Sequence, residues 1–165
     1  RDVQKISPFA PDAFSSRDFG CVGYMRDERA YLYYESIRKH TGNTPFFVTE
    51  NTALPKVGVA FYASGAEPDM LARLLDTCDG VVIAGAGNGS VSGQWKQVLL
   101  DRADAGKVVV AASRIGTGIV GPVIEMPPTV IPADTLSPQK ARILLALALS
   151  VTRDPEKIRE MFGLY

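Results

Sequence analysis

The sequence has few of the residues from which metal sites and hydrolytic active sites are commonly built. Its 165 residues include one histidine and two cysteines. Two cysteines are too few for a disulfide framework, and Cys78 lies on the apolar face of a predicted helix, where it is expected to pack. No CxxC, HExxH or carboxylate cluster indicates a metal. Because His40 falls in a predicted polar loop and is the only histidine, we expect no histidine-activated nucleophile.

Excess charge and long apolar runs are also lacking. Lysines and arginines number 18, as do aspartates and glutamates, which excludes a global basic footprint for nucleic acid or an anionic membrane. No apolar run approaches the roughly 18 residues that span a bilayer. We therefore expect neither nucleic acid nor membrane as a partner. The chain opens at Arg1, with no methionine or signal-like segment, so we expect that a segment upstream is missing.

The first 53 residues lack the pattern of a self-sufficient domain. Aromatic and β-branched residues at Cys21–Met25 and Ala30–Tyr34 flank the charged segment Arg26–Arg29, which predicts a β-hairpin. An isolated hairpin is marginal in water. This arm, residues 1–53, is therefore expected to pair with or pack on something else.

From residue 54 the pattern becomes that of an α/β domain. Segments with apolar residues at helical spacing alternate with continuous apolar runs that are typical of strands. Pro68 lies in the first turn of one predicted helix, and Ser90 or Ser92 starts the next. Runs that are apolar on both faces favour a parallel sheet with helices on both sides. We predict a small three-layer domain at 54–165 with a mostly parallel, flavodoxin-like or Rossmann-like sheet. The predicted buried strands are Val57–Tyr62, Val81–Ala84 and Val108–Ala112.

Beyond the third strand, the sequence predicts a long loop and two helices. The loop begins at Arg114 and is rich in glycine and proline, with a short strand at Thr129–Ile131. Ser137 and Pro138 are typical of a helix start. The helix from Pro138 to Val151 is apolar almost all round, which predicts burial in the core or in an interface. Asp154-Pro155 starts the last, short helix.

A glycine-rich turn, Gly85–Ser90 (GAGNGS), is the most distinctive local feature. It follows the carboxyl end of a predicted strand, and ligands usually bind at the carboxyl ends of parallel strands. A strict dinucleotide fingerprint requires glycine at the position of Ser90 and an acidic residue where Arg114 stands. The turn therefore has two interpretations: a tight turn that needs glycine's conformational freedom, or, less well supported, a nucleotide site.

Glu125 also has two interpretations. It stands between Ile124 and Met126 in the long loop beyond the third strand. A lone acid between apolar residues at this edge suits recognition of an ammonium group, whereas an exposed loop glutamate needs no function. The residues alone leave both open.

Short segments in a fixed order run through the whole chain. They are Arg1–Lys5 (RDVQK), Arg38–Thr41 (RKHT), Thr44–Phe46 (TPF), Leu54–Val57 (LPKV), Gly85–Ser92 (GAGNGSVS), Arg114–Glu125 (RIGTGIVGPVIE), Leu136–Leu149 (LSPQKARILLALAL) and Asp154–Phe162 with the terminal Tyr165. In this order and spacing they resemble bacterial, type II-like L-asparaginases and the related glutaminase-asparaginases. The chain looks like the C-terminal half of such a protein, with the end of the large domain at 1–53 and the small domain at 54–165.

The resemblance implies where chemistry does and does not reside. The family's nucleophilic threonines lie in TGGTIxG and GTDT-type motifs, which do not occur in this sequence. It implies no catalytic residue in this chain, which alone is expected to be inactive. In the family, the small domain of one subunit contributes a polar residue and an acid to the neighbour's active site, and these match Ser90 and Glu125. Ser90 is expected to orient the substrate and Glu125 to bind its α-ammonium group.

For the full-length protein, the resemblance implies hydrolysis of L-asparagine to L-aspartate and ammonia, with L-glutamine as a second candidate substrate. It implies no cofactor or metal, a homotetramer built as a dimer of dimers, and a periplasmic or secreted location, with the cytoplasm as the alternative. Two other functions stay open at this stage. One is a non-enzymatic stand-alone binding or assembly domain, and the other is a nucleotide-binding flavodoxin-like module that uses Gly85–Ser90.

Overall fold

The computed structural model describes residues 1–102, 106–122 and 126–165. Within them the chain forms four short arm strands, then a domain of strands and helices, with a 3₁₀ turn at Thr41–Asn43 between the two parts. The elements are β1 (Gln4–Lys5), β2 (Phe14–Ser15), β3 (Gly23–Arg26), β4 (Arg29–Leu32), β5 (Val57–Phe61), α1 (Pro68–Thr77), β6 (Gly80–Gly85), α2 (Gly93–Asp101), β7 (Val108–Ser113), β8 (Ile131–Pro132), α3 (Pro138–Val151) and α4 (Pro155–Leu164).

The arm forms the predicted hairpin. Strands β3 and β4 pair antiparallel, with Gly23 opposite Leu32 and Arg26 opposite Arg29. Asp27 and Glu28 form the turn with φ of 48° and 62°, the left-handed conformation that a two-residue hairpin loop requires. Every buried apolar residue that the structure describes lies at Val57 or later, so the arm contributes no core of its own, as predicted.

The domain sheet is parallel, with the strands in the order β5-β6-β7-β8. Residues of β6 and β7 are all buried because these central strands are covered on both faces, as predicted. The prediction of a buried first strand was wrong for part of β5: Val59 and Phe61 are 38% and 58% exposed. The strand lies at an edge of the sheet with one neighbour, so only its other side chains reach the core.

Helices cover both faces, which confirms the three-layer architecture. Because the strand order follows the chain, right-handed crossovers place α1 and α2 on the same face. There Leu71, Leu75 and Trp95 pack with Val81 and Ile83. Leu145, Ile158 and Phe162 of α3 and α4 pack with Val82 and Val110 on the opposite face.

The helix starts follow local chemistry. Ser92 accepts a hydrogen bond from the Trp95 amide at 3.4 Å, so α2 begins at Gly93. Ser137 caps α3, and Pro138 occupies its first turn. Of the two starts considered for α2, Ser92 is therefore correct, and Ser90 stays in the preceding turn.

Features that would suggest membranes, metals or disulfides do not occur in the described residues. No helix there has the length and apolar character to cross a membrane, and no group of three or more histidine, cysteine or acidic side chains is arranged to hold a metal. Cys21 is exposed and Cys78 is buried, and both are free. Cys78 packs with the α1 and α2 side of the core, as predicted.

Candidate functional site

The carboxyl ends of β5, β6 and β7 meet at one edge of the sheet, where Arg114 links them. Its backbone amide donates to the Gly85 carbonyl at 2.9 Å. Its guanidinium Nη1 donates to the Tyr62 carbonyl at 2.8 Å. Arg114 thus braces three strand ends.

The glycine-rich turn is closed by its own backbone. Ala86 and Ser90 exchange two backbone hydrogen bonds, each of 2.8 Å, so their amides are not free to cradle a phosphate. Gly87 and Gly89 have φ of 50° and 82°, where side chains are disfavoured. These contacts support the tight-turn interpretation over a nucleotide site.

Substitution of Gly85 tests how closely the backbone of Gly89 packs against it in this turn. A Cβ at Gly85 would lie 2.3 Å from the Gly89 carbonyl oxygen, whereas a Cβ at Gly93 meets nothing within 4 Å. We expect Gly85→Ala to lower the free energy of unfolding by about 2–3 kcal/mol and Gly93→Ala to leave it nearly unchanged. Chemical denaturation of both variants measures this, and equal stabilities would contradict the packing described here.

The loop that follows β7 is joined to the glycine-rich turn. The Gly121 amide donates to Oδ1 of Asn88 at 3.2 Å. A Cβ at Gly89 would lie 3.2 Å from Cγ1 of Val120, so turn and loop are in close contact. Val120 and Met126 are both buried, which anchors the loop on either side of residues 123–125.

Of the two predicted site residues, the structure describes one. Ser90 is exposed at the open edge, and among the described residues its hydroxyl has no hydrogen-bond partner. Glu125 lies outside the described residues. The described segment that precedes residues 123–125 is held beside the turn that carries Ser90, through the hydrogen bond from Gly121 to Asn88.

A small cavity lies beside the end of β7, among the described residues. The cavity lined there by Ser113, Gly116 and Asp134 has a volume of about 10 Å³, room for at most one water.

Sequence reasoning missed Asn88 and Asp134. The Asp134 carboxylate binds the guanidiniums of Arg1 at 3.0 Å and Arg38 at 2.9 Å. Burial lowers the pKa of the Arg1 guanidinium, and Asp134 opposes that shift. No local pattern identifies these residues, since their partners lie 33, 133 and 96 positions away along the chain.

Comparison with known proteins shows the family of the chain. Residues 56–162 match the sequence model of the Glutaminase/Asparaginase C-terminal domain. L-asparaginase 2 of Escherichia coli is 36% identical over 169 residues, covering 100% of this chain and 49% of that protein. The probable periplasmic L-asparaginase of Haemophilus influenzae is 39% identical, covering 98% of this chain and 48% of that protein.

A solved structure extends the comparison to the fold. The crystal structure of a probable cytoplasmic L-asparaginase from Campylobacter jejuni matches with a TM-score of 0.91 and 40% identity, covering 100% of this chain and 54% of that chain. These matches cover this chain along almost its whole length. The chain in turn spans about half the length of the relatives it matches. It belongs to the glutaminase/asparaginase family and carries that family's C-terminal domain.

Proposed function

We propose that this chain is the substrate-binding part of an enzyme that hydrolyses L-asparagine to L-aspartate and ammonia, with L-glutamine as a second candidate substrate. The observation that carries the proposal is the junction of two segments at the carboxyl edge of the sheet. The turn with Ser90 and the loop with Glu125 are joined there by the hydrogen bond between Asn88 and Gly121. Below, "the complete enzyme" means this chain with the N-terminal half that its family relatives possess.

The proposed roles follow from the chemistry of the two side chains. The Ser90 hydroxyl, exposed and without a protein partner among the described residues, orients the substrate. The Glu125 carboxylate binds the α-ammonium group through a charge-assisted contact. This contact positions the side-chain amide for attack. It also selects against amides without an α-amino group, because the carboxylate would then be buried unpaired.

The nucleophile, its activating groups and the oxyanion donors belong to the absent half, so the chain alone is inactive by this proposal. Residues 1–53 complete the large domain, and residues 54–165 form the small domain. Exposed apolar side chains in the arm support a missing partner surface: Tyr24, Met25, Leu32 and Tyr34 are 70–72% exposed. Tyr24 and Met25 are consecutive in β3 and point to opposite faces of the hairpin, so apolar side chains are exposed on both faces, and such surfaces are normally covered.

We further propose that the complete enzyme is a homotetramer, arranged as a dimer of dimers, and needs no metal or cofactor. Each active site then uses Ser90 and Glu125 from a neighbouring subunit, which would supply the surface that the open edge lacks. Light scattering of the complete enzyme tests the tetramer. A monomer that hydrolyses asparagine at the rate of its relatives would contradict the shared site.

For location we propose the periplasm or the outside of the cell, with the cytoplasm as the alternative. The relatives include a protein named periplasmic in Haemophilus influenzae and one named cytoplasmic in Campylobacter jejuni. Cell fractionation followed by an asparaginase assay distinguishes the two compartments.

Substitution of Ser90 tests its proposed role directly. We expect Ser90→Ala in the complete enzyme to lower kcat/KM for L-asparagine by tenfold or more, the loss of one hydrogen bond to a charged substrate, about 1.5–3 kcal/mol. Ser90→Asn keeps a hydrogen-bonding side chain at this position, so it serves as the matched control and is expected to retain most activity. Steady-state ammonia release measures both variants. Wild-type kinetics in Ser90→Ala would remove Ser90 from the site.

A further inference from the structure

We propose that Asp134 is a positioning residue that fastens the base of the loop at residues 114–130 to the arm. Its backbone pairs with Val120, the residue at the base of the part of that loop that carries Glu125, while its carboxylate holds Arg1 and Arg38 of the arm. The inference rests on the proposed function in one respect, that the loop carries the substrate-binding residue Glu125.

The backbone of Asp134 closes the loop. Val120 donates to the Asp134 carbonyl at 2.9 Å, and the Asp134 amide donates to the Val120 carbonyl at 3.1 Å. Asp134 lies two residues after the end of β8, so this pair of bonds ties the loop base to the sheet. Its φ is 56°, a left-handed conformation that glycine, asparagine and aspartate adopt more readily than other residues. This conformation admits an aspartate but does not require its charge, so the carboxylate needs a separate reason.

That reason is the pair of guanidiniums. Both bind the same carboxylate oxygen, Oδ2, and the Arg1 side chain is only 8% exposed. The Arg1 Nε also donates to the Thr135 hydroxyl at 2.9 Å, and Lys140 donates to the Arg1 carbonyl. A buried cation left without its carboxylate is costly. Asp134 therefore determines whether the beginning of the arm stays docked beside the loop.

A second contact joins the arm to the same loop independently. The Gly118 amide donates to Oδ2 of Asp18 at 2.7 Å. The arm thus holds the loop at Gly118 through Asp18 and at its base through Asp134, and the loop in turn holds Asn88 of the glycine-rich turn. Substrate-contacting groups must be held to within about 0.5 Å of the productive geometry. A glycine- and proline-rich loop gains that order from such tethers.

The test is Asp134→Asn in the complete enzyme, since asparagine keeps the shape and tolerates the left-handed conformation but loses the charge. We expect kcat/KM for L-asparagine to fall about tenfold. We also expect faster amide hydrogen exchange at Val120 and Gly118, whose bonds hold the loop. Should Asp134→Asn fold poorly, Asp18→Ala removes the acceptor of the second tether alone, and the same two readouts apply with a smaller loss.

Asp79→Asn is the matched control. Asp79 also pairs with an arginine, Arg153 at 3.1 Å, and accepts from the Lys56 amide at 2.8 Å, but it lies at the amino edge of the sheet. If both carboxylates serve only to stabilise the fold, each substitution lowers the melting temperature and neither changes kcat/KM. Unchanged kinetics and exchange in Asp134→Asn, or an equal loss of kcat/KM in Asp79→Asn, would overturn the inference.

The double variant Glu125→Ala/Asp134→Asn separates this inference from the proposed function. If Asp134 acts through the Glu125 loop, adding Asp134→Asn to Glu125→Ala has almost no further effect on kcat/KM. Fully additive losses would show that Asp134 acts elsewhere and would overturn the inference. Wild-type activity in Glu125→Ala alone would instead refute the proposed role of Glu125, while the exchange rate at Val120 would still report whether Asp134 holds the loop.

Discussion

In the complete enzyme, we expect Glu125→Ala to lower kcat/KM for L-asparagine by about 100-fold or more. Removing one partner of a buried, hydrogen-bonded charge pair costs about 2–5 kcal/mol, and each 1.36 kcal/mol corresponds to a tenfold change in rate. The loss arises from poorer positioning of the amide, because the carboxylate takes no part in bond making. Stopped ammonia-release assays across a range of asparagine concentrations measure kcat and KM separately.

Two controls test whether the loss in Glu125→Ala comes from the missing carboxylate charge. Glu125→Gln keeps the size of the side chain but loses its charge, so it is expected to lose nearly as much activity as Glu125→Ala. An amide substrate without the α-amino group leaves the wild-type carboxylate unpaired, so Glu125→Ala should hydrolyse this substrate at least as fast as the wild-type enzyme does. Wild-type kcat/KM for asparagine in Glu125→Ala would refute the assignment of the ammonium site.

The second large effect concerns the chain by itself. We expect the purified 165-residue chain to release no ammonia from asparagine above the buffer rate, because nucleophile and oxyanion donors supply most of the acceleration in amide hydrolysis. Addition of the N-terminal half as a separate polypeptide should restore activity. The Glu125→Ala chain is the matched control and should restore far less.

The result also separates the remaining alternatives. Amide hydrolysis by the chain alone would show that a nucleophile lies within it and would contradict the proposal. A folded, monomeric chain that stays inert even with the N-terminal half would support the stand-alone binding or assembly function. In α3, Ile143 and Val151 are 57% and 47% exposed, so an assembly role would place the partner on this helix.

Much of the fold was predictable because its determinants are local. Runs that are apolar at every position, as in β6 and β7, indicate strands covered on both faces. A serine followed by proline predicts the start of α3 at Pro138. Alternating strands and helices predict a parallel three-layer domain. For the site, the glycine-rich turn and the loop with Glu125 were identifiable because each follows a predicted strand at the same edge.

Other features were decided only by tertiary structure. The edge position of β5 exposes Phe61, which an apolar run cannot reveal because burial depends on the number of neighbouring strands. The start of α2 at Gly93 leaves Ser90 in a turn closed by its bonds with Ala86. The links from Asn88 to Gly121 and from Asp134 to Arg1 join residues far apart along the chain.

The sequence by itself therefore determined the elements, the layers and the family, through periodicity, capping residues and an ordered set of short motifs. Tertiary structure decided which loops touch and which charges pair. The physical reason is that periodicity and capping act over a few residues, whereas the contacts of Asp134 with Arg1 and Arg38 exist only after the chain has folded the arm back beside the domain.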